Sequence, residues 1–81
     1  MDIRERIKKI GRTEGLGREA LAKRCAMKYT RLRNIVGGQA EVRVSDIAQI
    51  ALAFPEYEVW LFTGREYPQI GQISPEGKVS Q

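Results

Sequence analysis

"CAMKYTRLRNIVGG", residues 25–38, decides how the rest of the chain is read. At about 100° per residue, the α-helical spacing, Leu32, Ile35 and Val36 fall on one side of a short helix entered from a tight bend. Thr30, Arg33 and Asn34 fall on the other side, with Tyr29 and Arg31 at the two flanks. The apolar side requires a core. The opposite side crowds long donors and an aromatic ring onto about two turns, and what that face meets is the question.

The chain has 81 residues, which predicts one domain with a small core. No apolar run is long enough to span a membrane. No charged start, apolar run and small-residue cleavage site marks a signal peptide. Cys25 is the single cysteine, so an internal disulfide and a cysteine zinc site are both excluded. A cytoplasmic location is the expectation. Histidine is absent, which removes the commonest general base and metal ligand. No nucleophile stands with a partner base, and no glycine-rich phosphate loop precedes a helix. The expectation is therefore a protein that is not an enzyme, with no catalytic residue, metal, cofactor or small-molecule substrate.

The charge is lopsided. Residues 1–36 hold 11 Lys/Arg against 4 Asp/Glu, whereas residues 37–81 hold 3 against 6. A basic half joined to a mildly acidic half suggests one face made for a polyanion. Charge alone equally fits a small protein kept soluble.

The periodicity is helical. "DIRERIKKIG" puts Ile3, Ile7 and Ile10 on one stripe. Asp2 precedes Arg6 by four residues and Glu5 precedes Lys9 by four, the favourable orientation for helix-face ion pairs. Gly15 is a C-terminal stop, with Leu16 folding back beyond it. "GREALAKRC" predicts a second helix with Ala20, Leu21 and Cys25 inward. After the bend at Ala26 and Met27 and the third helix, "GGQAEVRV" reads as a loop in which Val42 and Val44 are half-buried. Ser45 is the expected N-cap of a fourth helix, with Asp46 in its first turn, burying Ile47, Ile50, Ala51 and Phe54. Pro55 ends that helix and opens a fifth, "PEYEVWLFTG", closed by Gly64. Residues 65–81 carry two prolines and two glycines and read as an extended tail.

Five helices with a tight turn between the second and third suggest helix-turn-helix, and here the residues resemble a family. "LAKRCAMKYTRLRNI" (21–35) resembles the helix-turn-helix of the Cro and phage-repressor type, the lambda-repressor-like group. Leu21-Ala22 matches that family's opening. Cys25 stands at an apolar position, Ala26-Met27 in the turn, and Leu32 and Ile35 at apolar positions of the third helix. "IALAF" and "VWLFTG" resemble its fourth and fifth helices, with Trp60, Leu61 and Gly64 matching a Trp-Leu-x-x-Gly ending. The resemblance spans residues 3–64 and implies an all-α fold: a compact five-helix helix-turn-helix DNA-binding domain over 1–64, followed by a C-terminal tail over 65–81.

The chain departs from that pattern in three places. Ala26 stands where the family usually has Gly, and Ala is the costlier residue in a left-handed backbone. Gly11 and Val36 stand where an Arg and a Glu often pair between the first and third helices. Loss of both partners at once is tolerated where loss of one is not, and it implies that these positions are neighbours. Gly17 and Arg18 replace the usual start of the second helix.

On this resemblance the third helix enters the major groove, and side chains from its first turns reach base edges. Tyr29, Thr30, Arg33 and Asn34 are the implied base contacts. Arg33 suits guanine O6 and N7, and Asn34 suits adenine N6 and N7. Tyr29 offers its hydroxyl to phosphate or its ring edge to a thymine methyl. Arg18, Lys28, Arg31, Gln39 and Arg43 are the implied phosphate contacts. Arg31, near the buried edge, serves either packing or phosphate. An ordinary solvated face is the competing reading of Arg31, Arg33 and Asn34.

A single unit of this kind reads too few base pairs to find one site, so a homodimer on an inverted repeat is expected. Its apolar surface is assigned to Tyr57, Trp60, Phe62, Tyr67, Ile70 and Ile73, which exceed what one small core holds, with the segment from Gln69 to Ile73 pairing across the partner. The expected function is a sequence-specific DNA-binding transcriptional regulator, a Cro-like repressor of phage, mobile-element or operon-autoregulating type. The partner is double-stranded DNA carrying an inverted-repeat operator. The alternative is an antitoxin or adaptor-type protein-interaction module on the same scaffold, its apolar tail holding a partner protein.

Overall fold

A computed structural model describes residues 1–79, with Val79 described in its backbone alone; the last two residues of the tail lie outside the described residues. Six α-helices follow in order: α1 (Ile3–Thr13), α2 (Arg18–Arg24), α3 (Tyr29–Val36), α4 (Val44–Ala53), α5 (Glu58–Thr63) and α6 (Pro75–Val79). Short 3-10 turns occupy Pro55–Tyr57 and Pro68–Ile70, and there is no strand among the described residues. The fold is all-α, with one more helix than the periodicity predicts.

The apolar stripes meet as expected. Ile7 and Ile10 of α1, Leu21 and Ala22 of α2, Leu32 and Ile35 of α3, Ile50 of α4, Phe54 just past its end and Leu61 of α5 are all buried. Ala20 is the exception: it is exposed, because α2 turns its core face through Leu21 and Ala22. Val42 is half-buried, but Val44 begins α4 on its solvent side.

Three helices end in the same way. Leu16 N–H donates to Gly11 O at 2.8 Å and Gly15 N–H to Arg12 O at 3.2 Å. Met27 N–H and Ala26 N–H repeat this pair onto Ala22 O and Lys23 O, as Gln39 N–H and Gly38 N–H do onto Asn34 O and Ile35 O. This is the Schellman arrangement, which requires a left-handed residue just past the helix. Gly15 (φ +68°) and Gly38 (φ +83°) adopt it without a Cβ penalty, whereas Ala26 adopts it at φ +54° with one. Gln49 of α4 donates its amide to Ala26 O at 2.9 Å, fastening that turn from outside.

Two arginines of α1 close the carbonyl ends of other helices. Arg4 donates to Ile35 O (3.0 Å) and Ala40 O (3.1 Å), and Arg6 to Leu61 O (2.9 Å) and Met1 O (2.7 Å). Carbonyls in a helix's last turn are short of helical partners, and a guanidinium bonds them favourably at the negative end of the dipole; Ile35 O takes Arg4 in addition to Gly38 N–H. The expected Asp2–Arg6 and Glu5–Lys9 side-chain pairs are therefore corrected. Asp2 instead caps α1 by accepting from Glu5 N–H at 2.9 Å, Lys8 takes Glu5, and Lys9 takes Glu76. Ser45 is likewise not the cap of α4. Arg43 occupies that position, and its N–H donates to the Asp46 carboxylate at 2.8 Å.

The largest correction concerns residues 65–79. They do not extend away but fold back over α1 and α5. Tyr67 and Gln72 exchange backbone hydrogen bonds around the 3-10 turn, and Ile73 N–H donates to Glu56 O at 2.9 Å. The Gln72 side chain accepts from Val59 N–H and donates to Pro55 O, both at 3.0 Å. Ser74 caps α6 through Gly77 N–H, and Lys78 reaches both Glu14 and Glu56 at 3.0 Å. A Pro- and Gly-rich sequence reads as a tail because its order comes from these side-chain clamps and not from periodicity. Tyr57, Trp60 and Ile73 are consequently core residues (0%, 6% and 8% exposed) and supply no dimer surface. Tyr57 and Trp60 pack edge to face at 6.3 Å within one protomer.

Candidate nucleic-acid interface

The tight turn from Cys25 to Lys28 sets α3 against α2 and turns the outer face of α3 to solvent. Leu32, Ile35 and Val36 hold the inner face in the core. Tyr29, Thr30 and Arg33 are exposed on the outer face, and Asn34 is half-buried beside them. The Arg33 guanidinium lies over the Tyr29 ring, 5.8 Å from its centroid. The two stand four residues apart on adjacent turns, where a cation and a ring attract. Each restricts the other, so the face presents a partly ordered donor array.

The basic residues divide sharply by what they touch. Arg4 and Arg6 close helix ends, Lys8 and Lys9 pair with carboxylates, and Arg24 lies over the Phe54 ring at 5.5 Å. By contrast Arg12, Arg18, Lys23, Lys28, Arg33, Arg43 and Arg65 are exposed and form no ion pair among the described residues. Four of these seven, Arg18, Lys23, Lys28 and Arg33, lie on α2, on α3 or in the turn between them. These four place a group of exposed, unpaired cations around the turn.

Arg31 does not belong to that set. Its Nε donates to Asp46 Oδ1 at 3.2 Å and its Nη2 to Oδ2 at 2.6 Å, with a further bond from Nη2 to Glu41 O at 3.0 Å. Asp46 is buried, and the Arg31 bonds hold its carboxyl below the usual carboxylate range despite the opposing effect of burial; Arg43 N–H adds to the depression. Of the two roles the sequence leaves open for Arg31, the structure shows the packing one: it ties α3 to α4. Residues 31 and 46 sit on different helices, so no periodicity links them.

The remaining candidates fall out as follows. Arg18 is the first residue of α2, next to Gly17, and its side chain is exposed. Lys28 precedes α3, exposed, with no side-chain cap bond. Arg43 is exposed at the start of α4. Gln39 is exposed, but its side chain folds over Gly37 into space that a Cβ would need. Gly11 and Val36 line one cleft of about 180 Å³, rimmed by Lys8, Arg12 and Arg18. Gln49, which fixes the turn, escapes sequence reasoning because a mid-helix glutamine carries no signal. No group of three or more His, Cys, Asp or Glu suited to a metal occurs among the described residues. No described helix is long and apolar enough to cross a membrane. Neither a protein-family model nor a curated protein matches the chain.

Proposed function

We propose that this chain is a sequence-specific DNA-binding transcriptional regulator of the lambda-repressor-like helix-turn-helix type, acting as a Cro-like repressor on an inverted-repeat operator. The observation that carries this reading is the contrast between the two faces of α3. One face is buried through Leu32, Ile35 and Val36, and the other presents Tyr29, Thr30 and Arg33 amid unpaired cations. An α-helix fits the major groove of B-DNA, and its exposed donors meet base edges there. In this reading Tyr29, Thr30, Arg33 and Asn34 read bases. Arg18, Lys28 and Arg43 hold phosphates and set the register, while Gln39 must unfold from Gly37 to do so. Two copies on an inverted repeat place two such helices about 34 Å apart and double the site.

Titration of a labelled random duplex against salt tests the reading. A groove binder gives log affinity falling with log salt, with a slope of about −0.9 per phosphate contacted. Selection from a random pool then returns an inverted repeat. A weak, salt-independent response, or selection of unrelated sequences, rejects it. The adaptor alternative drew on a free apolar tail, and with residues 65–79 docked on the domain it loses that support.

A further inference from the structure

The outward face of α4 stands out among the described residues for its exposed apolar side chains. Val44, Ser45, Ala48, Gln49 and Leu52 form it, and none is charged. Val44 and Leu52 are 73% and 83% exposed. They lie four residues either side of Ala48, so the three make one stripe with its smallest member at the centre. Leu52 also lines a groove of about 350 Å³, together with Arg24, Cys25, Ala26, Gln49 and Ala53.

We propose that a second copy of this chain docks along α4, the two copies related by a two-fold axis passing beside Ala48. Antiparallel α4 helices then cross at Ala48, where a small side chain lets the axes approach to about 8 Å. Val44 of each copy lands on Leu52 of the other and fills the adjoining groove. The same patch supplies both the projecting residue and the hollow, as an isologous contact requires. Charge favours the same occupant. The chain carries a net charge of +4, so two copies repel except where their facing surfaces are neutral. The ends complement as well. Exposed Glu41 precedes α4, and Arg24 stands at its other end over Phe54, so the antiparallel pairing brings Glu41 of one copy towards Arg24 of the other. The exposed Phe62, Tyr67 and Ile70 are less suited, because charged Arg65 and Glu66 interrupt them. The proposal gives a surface to the two-copy assembly and rests on the proposed function for that element alone.

Sedimentation equilibrium without DNA, from low micromolar to submillimolar protein, is the test, because a contact this small associates weakly. Wild-type mass should rise towards twice the monomer, and Leu52→Glu should weaken association about tenfold or more. Glu41→Arg should also weaken it, and Glu41→Arg with Arg24→Glu should restore it. Ala48→Cys should form a disulfide-linked dimer on mild oxidation, whereas Ala20→Cys on exposed α2 should not; Cys25 is buried and contributes no competing thiol. A wild-type protein that stays monomeric throughout overturns the proposal. So does association that ignores Leu52→Glu, with no Ala48→Cys crosslink, or that fails instead on Phe62→Glu. Circular dichroism of each variant confirms its helices. Duplex binding by Leu52→Glu, retained but without preference for an inverted repeat, keeps the DNA reading separate from the fate of this surface.

Discussion

Arg31 and Asp46 meet through two parallel hydrogen bonds, at 3.2 and 2.6 Å, and so bind the outer helix α3 to α4. Asp46 is nearly inaccessible, so the removal of Arg31 leaves a carboxylate buried without its guanidinium. Arg31→Ala should cost about 3 kcal/mol, and Arg31→Lys should recover little, since an ammonium cannot make the forked contact. Urea denaturation measures both. A loss below about 0.5 kcal/mol, the scale of a surface pair, means the contact is not structural.

Acid should act through the same pair. Asp46 and Glu14 both ionise more readily in the folded protein: Arg31 holds Asp46, and Tyr57 and Lys78 hold Glu14 against its burial. A lowered folded-state pKa contributes stability above the unfolded value that is lost as pH falls through the folded one. Stability should therefore be level at neutral pH and decline below about pH 4. Asp46→Asn should be less stable at neutral pH and flatter through the acid range. A wild-type profile no steeper than that of Asp46→Asn below pH 4 counts against the assignment.

Alkali should act through Tyr57 and Lys78. Burial, then the bond to Glu14, pushes the Tyr57 hydroxyl up to about 12, and Glu14 and Glu56 raise Lys78 as well. Raised values contribute stability below the unfolded pKa that disappears as pH climbs, so the fold should weaken above about pH 10. In near-ultraviolet absorbance one of the three tyrosines should ionise late, and Tyr57→Phe should abolish that late step. Three tyrosines titrating together exclude it.

Ala26→Gly should stabilise the protein by roughly 0.5–1 kcal/mol. Relief of about 1–2 kcal/mol of left-handed strain exceeds the added flexibility of the unfolded chain. Ala26→Val should destabilise by more than Ala26→Gly gains, because a branched Cβ tolerates φ +54° poorly. Thermal melts of the two variants should fall on opposite sides of wild type; a lower melting temperature for Ala26→Gly contradicts the strain.

Arg33→Ala and Arg18→Ala should separate base reading from phosphate holding. The first should cost about 1–3 kcal/mol of binding and relax the preference at one base position. The second should weaken all sequences evenly and reduce the salt slope by about 1. If Arg33→Ala weakens every sequence equally, the side chain is a backbone contact.

Much of the architecture is legible in the chain because helix periodicity is local. The Ile7–Ile10 stripe, the Leu32–Ile35–Val36 face and the stop at Gly15 each follow from spacing within a dozen residues. The exposed face of α3 is legible for the same reason. What escapes is pairing at long range. Lys78 with Glu14 and Arg6 with Leu61 O join residues that no period connects. The tail is misread because glutamine and serine side chains order it, and Gln72 at a clamp looks like Gln69 on the surface. Counting aromatics overfills the core on paper, yet Tyr57 fits because its hydroxyl finds Glu14 at 2.8 Å.

Residues 72–78 close over α1 and α5, which precede them in the chain, and synthesis runs in that order. Until they emerge, the Tyr57 hydroxyl and Glu14 lack Lys78, Val59 N–H lacks Gln72, and the site of Ile73 stands open to water. A nascent or prematurely terminated chain is then helical but unlatched. Removal of residues 72–78 should therefore make the segment after α5 more sensitive to proteases.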